Sequence, residues 1–460
     1  MRLNPTLGTG PARHVLAWVD GEHAPWPRDA LMRAALERLV LLVGPLTAEP
    51  WMNKKQVGAW ALFDFANSVY PAVITTTVFS IYYVGTVVGD EAGRGTLLWN
   101  VAVAVSALIV AGTSPLLGAI ADRAGARKKF MLVYTAMCLI GVLLMMGLRP
   151  GMVVAGFAFF VIANVGFESA LVFYNAYLPD IAPPEKQGWV SGLGFGVGYL
   201  GSALGLLMVL PFAESRTGLV WPAVAAFFLI FSLPAFLYLP SDRGGGMSVP
   251  RAAAWGVTSF REIVREVWRI KELRNFLIAF FFYIDGVLTI IVNAGHIATD
   301  TFLFTPTETI VLFLVVQISA LVGAFALAKP TDTYGPKKVL NGVLVLWILA
   351  SGSAFFIQDP RVFWGMAVVV GLGLGAVQSA SRSFMSSLIP EGKEAEMFGF
   401  YALCGKSSSV LGPLLFGGAT FLFGGNQRPS FLVIMVLFII GLVLLQRVND
   451  PRAGAIRSAV

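Results

Sequence analysis

Cysteine, histidine and charge are all scarce in this chain of 460 residues. The two cysteines, Cys138 and Cys404, both fall within apolar runs, which excludes a disulfide framework and a thiolate metal site. Three histidines, His14, His23 and His296, are too few and too scattered for a zinc cluster. Charged residues make up 13% of the chain, where a soluble domain carries about a quarter, so a water-soluble enzyme of this size is excluded. Apolar residues fill the gap: 57% of the chain is hydrophobic, with 35 Phe, 11 Trp and 49 Gly. A membrane span needs about 20 apolar residues, so roughly half of the chain can supply a dozen. Glycine lets helices approach closely and tryptophan favours the bilayer interface. The net charge of +7 would suggest nucleic acid in a soluble protein. Here it reads as loop charge that sets orientation, and no nucleic-acid partner is expected.

From Val57 onward, long apolar runs alternate with short polar breaks. The pattern predicts an all-α membrane protein with twelve transmembrane helices, over 57–88, 97–121, 130–148, 152–178, 189–211, 219–239, 275–297, 308–328, 339–357, 362–388, 397–422 and 430–446. They divide into two six-helix bundles, 57–239 and 275–446, joined by a polar segment at 240–274. That segment opens as SDRGGG, a flexible linker signal. It continues as SFREIVREVWRIKELRNF, basic and amphipathic at helical spacing, which suits a helix lying among lipid headgroups. Residues 1–56 read as an N-terminal extension without a signal peptide, in which 30–43 can form an amphipathic surface helix and Met52 is an alternative start. Residues 447–460 read as a tail. Lysine and arginine crowd the loops on one side, while the opposite loops hold only Arg94, Arg149, Arg216, Arg361 and Arg428. The positive-inside rule then places both termini and the middle segment in the cytoplasm.

An internal repeat supports the two halves. Asp122-Arg-Ala-Gly125-Ala-Arg127-Lys128 closes the second span of the first half, and Asp332-Thr-Tyr-Gly335-Pro-Lys337-Lys338 closes the second span of the other. Leu178-Pro179 and Ile389-Pro390 end the fourth and tenth spans at nearly the same offset. Two markers at one spacing point to a tandem of related halves.

These motifs carry a family resemblance. Gly118-Ala-Ile-Ala-Asp122-Arg123-Ala-Gly125-Ala-Arg127-Lys128-Lys129 resembles the loop signature of the major facilitator superfamily. Trp60-Ala-Leu-Phe-Asp64-Phe-Ala-Asn67-Ser68, Phe173-Tyr-Asn175-Ala-Tyr-Leu-Pro179, Tyr283-Ile-Asp285-Gly286-Val, Gln378-Ser-Ala-Ser-Arg382-Ser and Gly392-Lys-Glu-Ala-Glu396-Met-Phe-Gly-Phe-Tyr401 resemble one branch of it. That branch contains the autophagy-related vacuolar amino-acid effluxers of fungi and their bacterial relatives. The resemblance implies a secondary transporter of the bacterial inner membrane. It also implies a gate made by Gly118, Asp122, Arg123, Gly125, Arg127, Asp332 and Gly335. The second copy lacks an arginine at the position of Arg123, so a weaker gate is expected there.

Two other motifs lead nowhere. Gly196-Val-Gly198-Tyr-Leu-Gly201 has the dinucleotide spacing but lies inside an apolar span, without the strand that fingerprint needs. Gly194, Gly198 and Ser202 recur every four residues and read as a packing face. Cys404-Gly405-Lys406-Ser407 resembles the tail of a phosphate loop, but Gly399 stands one position too early. With no ATPase motif, transport must run on gradients.

Five ionisable residues lie within spans: Asp64, Glu168, Asp285, Arg382 and Lys406. Each would cost roughly 2.5–3.5 kcal/mol or more facing lipid, so each should face a cavity or a partner. The first four fall on spans one, four, seven and ten, which line the central cavity in the superfamily. Helical spacing groups Asp64 with Asn67 and Ser68, and Glu168 with Asn164 and Asn175. It also groups Arg382 with Gln378 and Ser386, and Asp285 with Thr289, Asn293 and His296. At about 1.5 Å per residue, all five lie roughly 10–17 Å from the cytoplasmic edge. For Asp64, Arg382 and Lys406 that depth suits an inner gate as well as a substrate site. Asp285 and Glu168, the deeper acids, read as substrate or proton groups, and His296 as a loop histidine. Three acids against two bases leave one negative charge uncompensated, and Asp285 is the choice for a proton carrier, with sodium as the alternative.

The resulting expectation is an alternating-access transporter of a small zwitterionic solute such as an amino acid. Candidate substrate and proton groups are Asp64, Asn67, Glu168, Asn175, Asp285, Gln378, Arg382 and Lys406. No cofactor or metal is expected; the partners are the solute, a proton or sodium ion and the lipid bilayer, and the working state is a monomer. An amphipathic lipid or drug as substrate, and a non-transporting receptor or scaffold, stand as rival readings.

Overall fold

The computed structural model describes residues 52–451 apart from 90–92, 214–215 and 243–244. The helix read at 30–43, like His14 and His23, lies outside the described residues, as does the side chain of His296. Thirteen long helices follow one another: α1 Lys54–Val88, α2 Arg94–Ala124, α3 Arg127–Leu144, α4 Val153–Asn175, α5 Gln187–Val209, α6 Val220–Tyr238, α7 Val249–Arg269, α8 Lys271–His296, α9 Pro306–Tyr334, α10 Pro336–Ala354, α11 Pro360–Leu388, α12 Glu394–Leu422 and α13 Arg428–Gln446. Among the described residues, ten are long and apolar enough to cross a membrane. The amphipathic α7 is not among them. Nor are α10 and α12, whose apolar character is diluted by Lys337, Lys338 and Asn341 in the one and by Lys406 and Ser407–Ser409 in the other. Both nevertheless pack among the spanning helices, and the observed boundaries fall within a few residues of those read from hydropathy, except that α9 continues to Tyr334.

Water cannot satisfy backbone groups in lipid, so each span must close its own hydrogen bonds. α1 departs from a plain helix and does so by that rule. It widens to π-type turns at Pro71–Thr75 and Tyr83–Val88. Pro71 has no N–H to donate, and the hydroxyls of Thr76 and Thr77 donate to the carbonyls of Pro71 and Ala72, each at 2.7 Å.

Within the first half α1 packs on α5 and α6, and α4 on α2 and α3. Within the second, α8 packs on α12 and α13, and α11 on α9 and α10. Close approach replaces hydrophobic driving force in lipid: a Cβ on Gly375 of α11 would stand 1.9 Å from the carbonyl oxygen of Ala320 on α9. Leucine, isoleucine and valine side chains at Leu108, Ile140, Leu207, Leu349 and Val443 stay exposed on the outside, as a surface turned to acyl chains requires. The halves meet through α2 with α12 and α5 with α9. The second helix of each half thus runs along the fifth helix of the other.

Candidate gate and ion-pair sites between the halves

Asp122 sits in the last turn of α2 and Asp332 in the last turns of α9. The carboxylate of Asp122 accepts the backbone N–H groups of Ala395 (3.2 Å) and Glu396 (2.8 Å) in the first turn of α12. Asp332 accepts those of Gly188 (2.7 Å) and Trp189 (2.8 Å) at the start of α5. A helix start offers unsatisfied N–H donors and a positive dipole end, so each acid clamps the opposite half. The clamp made by Asp332 is as short as its counterpart. What differs is the support. Arg127 is buried and pairs with Asp180 (2.8 Å), Glu394 (3.5 Å), Asp122 (3.9 Å) and Asp242 (4.0 Å). Lys337, at the equivalent position of the repeat, donates instead to the carbonyls of Gln446 and Val448. Arg123 lies over the ring of Trp255 on α7, 3.5 Å from its centroid. Gly118 has no room for a side chain, since a Cβ would fall 2.2 Å from the carbonyl oxygen of Ala395. Gly125 takes the left-handed conformation (φ +57°) that turns the chain into α3, a conformation only glycine adopts freely.

Deeper between the halves, Arg382 on α11 reaches α1, α4 and α5 together. Its guanidinium donates to Asp64 Oδ2 (2.9 Å), Asn175 Oδ1 (3.3 Å), Ser191 Oγ (3.0 Å) and the Ser191 carbonyl (2.8 Å). The rings of Trp60 and Phe195 lie 4.5 and 4.0 Å from its centre. Arg382 is 2% exposed and Asp64 6%. Gly194 makes the space, because a Cβ there would stand 2.5 Å from Asp64 Oδ2 and 2.7 Å from Arg382 Nη2. Gly198 and Ser202 continue that face along α1, with Ser202 Oγ donating to the Ser68 carbonyl. The four-residue spacing is thus a packing face against α1.

A second pair crosses the halves, with Lys406 of α12 donating to Glu168 of α4. Its side chains keep 28% and 16% exposure, so this pair, unlike Arg382 with Asp64, is only partly buried. Asp285 has neither kind of partner. It is fully buried, Oδ1 accepts the N–H of Gly412 (2.8 Å), and Oδ2 has no hydrogen-bond partner among the described residues. The hydroxyl of Thr289, one turn along α8, is buried and unpartnered too. Both oxygens crowd Gly412, where a Cβ would lie 1.9 Å from Thr289 Oγ1 and 2.5 Å from Asp285 Oδ1.

Some residues grouped by helical spacing part company. Asn67 stays with Asp64, donating to Oδ1 at 3.4 Å. Asn175, grouped with Glu168, instead meets Arg382, and Asn164 donates to Ser106. Gln378 accepts the hydroxyl of Tyr199 across the halves (2.9 Å), apart from Arg382. Asn293 donates to the Thr289 carbonyl and not to its hydroxyl. Ser191, Tyr199, Asp180, Asp242 and Glu394 carry no such mark in the sequence, because an ordinary polar residue does not signal which helix it will meet.

The contacts joining the halves thus involve residues 60–64, 114–122, 168–199, 324–332 and 378–406, toward the end of the molecule that holds Asp122 and Asp332. The sequence profile of a family described as "Vacuole effluxer Atg22 like" matches residues 98–455. The chain belongs to that family. Among relatives of this Atg22-like chain is the uncharacterized MFS-type transporter YxiO of Bacillus subtilis, 30% identical, with 86% of this chain and 95% of YxiO covered. Autophagy-related protein 22-1 of Aspergillus niger is 23% identical over 92% of this chain and 84% of its own length. In fold, the Atg22-like chain is similar to the human organic anion transporter MFSD10, with a TM-score of 0.70 at 15% identity, covering 87% of this chain and all of that one. An outward-facing bacterial homologue of ferroportin gives 0.64 at 13% identity, over 85% of this chain and 98% of the homologue. The Atg22-like chain is therefore a multi-pass membrane transporter of the major facilitator type, and not an enzyme.

Proposed function

We propose that this transporter moves a small zwitterionic solute, of the amino-acid class, by alternating access, and that a proton bound at Asp285 couples it to a gradient. The observation that carries this reading is the division of labour among the five charges. Arg382 and Asp64 are buried and consume each other's hydrogen-bonding capacity, which suits a gate. Lys406 and Glu168 are partly exposed and of opposite sign, so a carboxylate and an ammonium from one solute can replace each with the other. That exchange needs little net desolvation, because charges that are already paired change partners. Asp285 faces no base among the described residues, so its carboxyl group is not committed to an ion pair and is the acid of the five left to carry a proton. The excess of lysine and arginine on the Asp122 side supports a cytoplasmic location for that side and for both termini, in a bacterial inner membrane.

Alternating access then follows from the clamps. With Asp122 and Asp332 seated on the helix starts, the Asp122 side is shut; parting α2 from α12 and α5 from α9 opens it. The test is solute uptake into proteoliposomes across an amino-acid panel, with and without a pH gradient. Saturable uptake of a zwitterion that rises with the gradient is the expected result. Uptake confined to amphipathic cations or anions overturns the substrate class, and no flux of any solute overturns transport itself.

A further inference from the structure

The helix between the halves, α7, has three distinct faces. Ala252, Gly256, Ile263 and Val267 are buried, and a Cβ at Gly256 would press on Leu116 and Ile120 of α2 at 2.8 and 3.1 Å. Beside that face run Val257, Phe260 and Trp268, 67%, 39% and 55% exposed. Beyond them, at helical spacing, stand the exposed Arg261, Arg265 and Arg269; the latter two line a cleft with Glu262 and Glu266. The remaining edge touches the gate. Trp255 stacks on Arg123 at the end of α2, and Glu266 pairs with Lys393, next to the first turn of α12. One helix therefore touches both members of the Asp122 clamp.

We propose that α7 reads anionic lipid and holds the Asp122 clamp shut when that lipid is present. An apolar strip bordered by arginines is the arrangement of a helix seated at the boundary between headgroups and acyl chains. Anionic headgroups attract each such arginine, and a soluble phosphate would satisfy the arginines while leaving Trp268 and Val257 in water. Seated on α2 and tied to Lys393, α7 presents its arginines along one line. When α2 and α12 part, α7 must let go of Trp255's contact or of Glu266's, and it tilts away from that line. Anionic lipid thus binds the closed form better, and this difference in affinity is what shifts the populations.

The experiment reads closure, not flux, so it stands apart from the choice of substrate. Ser386 is buried and lines a cleft with Pro179, Asp180 and Gln187 between the halves on the Asp122 side. The full chain with Cys138→Ala, Cys404→Ala and Ser386→Cys is placed in nanodiscs of phosphatidylcholine with or without phosphatidylglycerol. Maleimide labelling should be about fivefold slower with phosphatidylglycerol, the lower end of usual coupling between sites. Adding Arg261→Gln, Arg265→Gln and Arg269→Gln, all at exposed positions, should remove the lipid dependence and keep the unfolding midpoint. Brominated acyl chains should quench Trp268 fluorescence, seen as a loss of quenching in Trp268→Phe. Equal labelling in both lipids overturns the coupling. A lipid dependence that survives the triple substitution overturns the assignment to α7. Slow labelling reproduced by inorganic phosphate in phosphatidylcholine alone overturns lipid as the ligand.

Discussion

Arg382 and Asp64 meet 2.9 Å apart across the two halves, and the same guanidinium also holds the side chain and carbonyl of Ser191. Four acceptors on three helices surround one planar cation, with Trp60 and Phe195 on its faces. A fork fixed in this way serves as a lock between helices more readily than as a hand for a solute.

That lock predicts a specific mutational pattern. Asp64→Ala strands a buried guanidinium and should cost about 3–5 kcal/mol, seen as a lower unfolding midpoint in detergent. Arg382→Lys keeps the charge but loses the fork, so it should also destabilise. Asp64→Leu with Arg382→Met removes both charges and should recover much of the stability of either single change. A double variant no more stable than Asp64→Ala would show that the two residues are not energetically coupled.

For Lys406 and Glu168 the expected effect lies in binding. Lys406→Gln should weaken a zwitterion by about tenfold to a hundredfold, the worth of a hydrogen bond to a charged group. The measurement is the ligand-induced rise in unfolding temperature, which vanishes when binding to the folded state is lost. If the midpoint without ligand falls while the ligand-induced rise persists, the pair is a structural strut.

Coupling through Asp285 predicts a separation of two assays. Asp285→Asn keeps an oxygen for the Gly412 N–H but cannot take up or lose the proton. Concentrative uptake driven by a pH gradient should disappear, while counterflow exchange of the solute continues. An Asn variant that still concentrates solute under the pH gradient would remove Asp285 from the proton path and leave Glu168 as the next acid to test.

At the Asp122 clamp, Asp122→Asn leaves an acceptor for only part of the charge-assisted contact to Ala395 and Glu396. Helix-end charge interactions are worth about 0.3–2 kcal/mol, so opening of that side should rise by roughly twofold to thirtyfold. Gly118→Ala should act in the same direction by sterics, its added methyl meeting the Ala395 carbonyl. Labelling of Ser386→Cys in the cysteine-free background reads both. Unchanged labelling in the two variants would deny the clamp a gating role.

The chain order alone determined where the spans lie, because a helix crossing lipid must be apolar for about 20 residues. It determined the tandem halves too, since Asp122 and Asp332 stand at the same spacing from a glycine and a pair of basic residues. It also limited the charged candidates to a few, as an ionisable group in a span has so few tolerable surroundings. Partner choice was beyond it. Asn175 shares a helical face with Glu168 yet bonds to Arg382, because it ends α4 just before the Leu178–Ile181 turn on which α11 packs. Asp285 bonds to the backbone N–H of Gly412, a contact no side-chain pattern marks. The widened turns of α1, where the hydroxyls of Thr76 and Thr77 donate to the Pro71 and Ala72 carbonyls, leave no mark in hydropathy. Periodicity tells which residues share a face; only the packing of helices distant in sequence decides what that face meets.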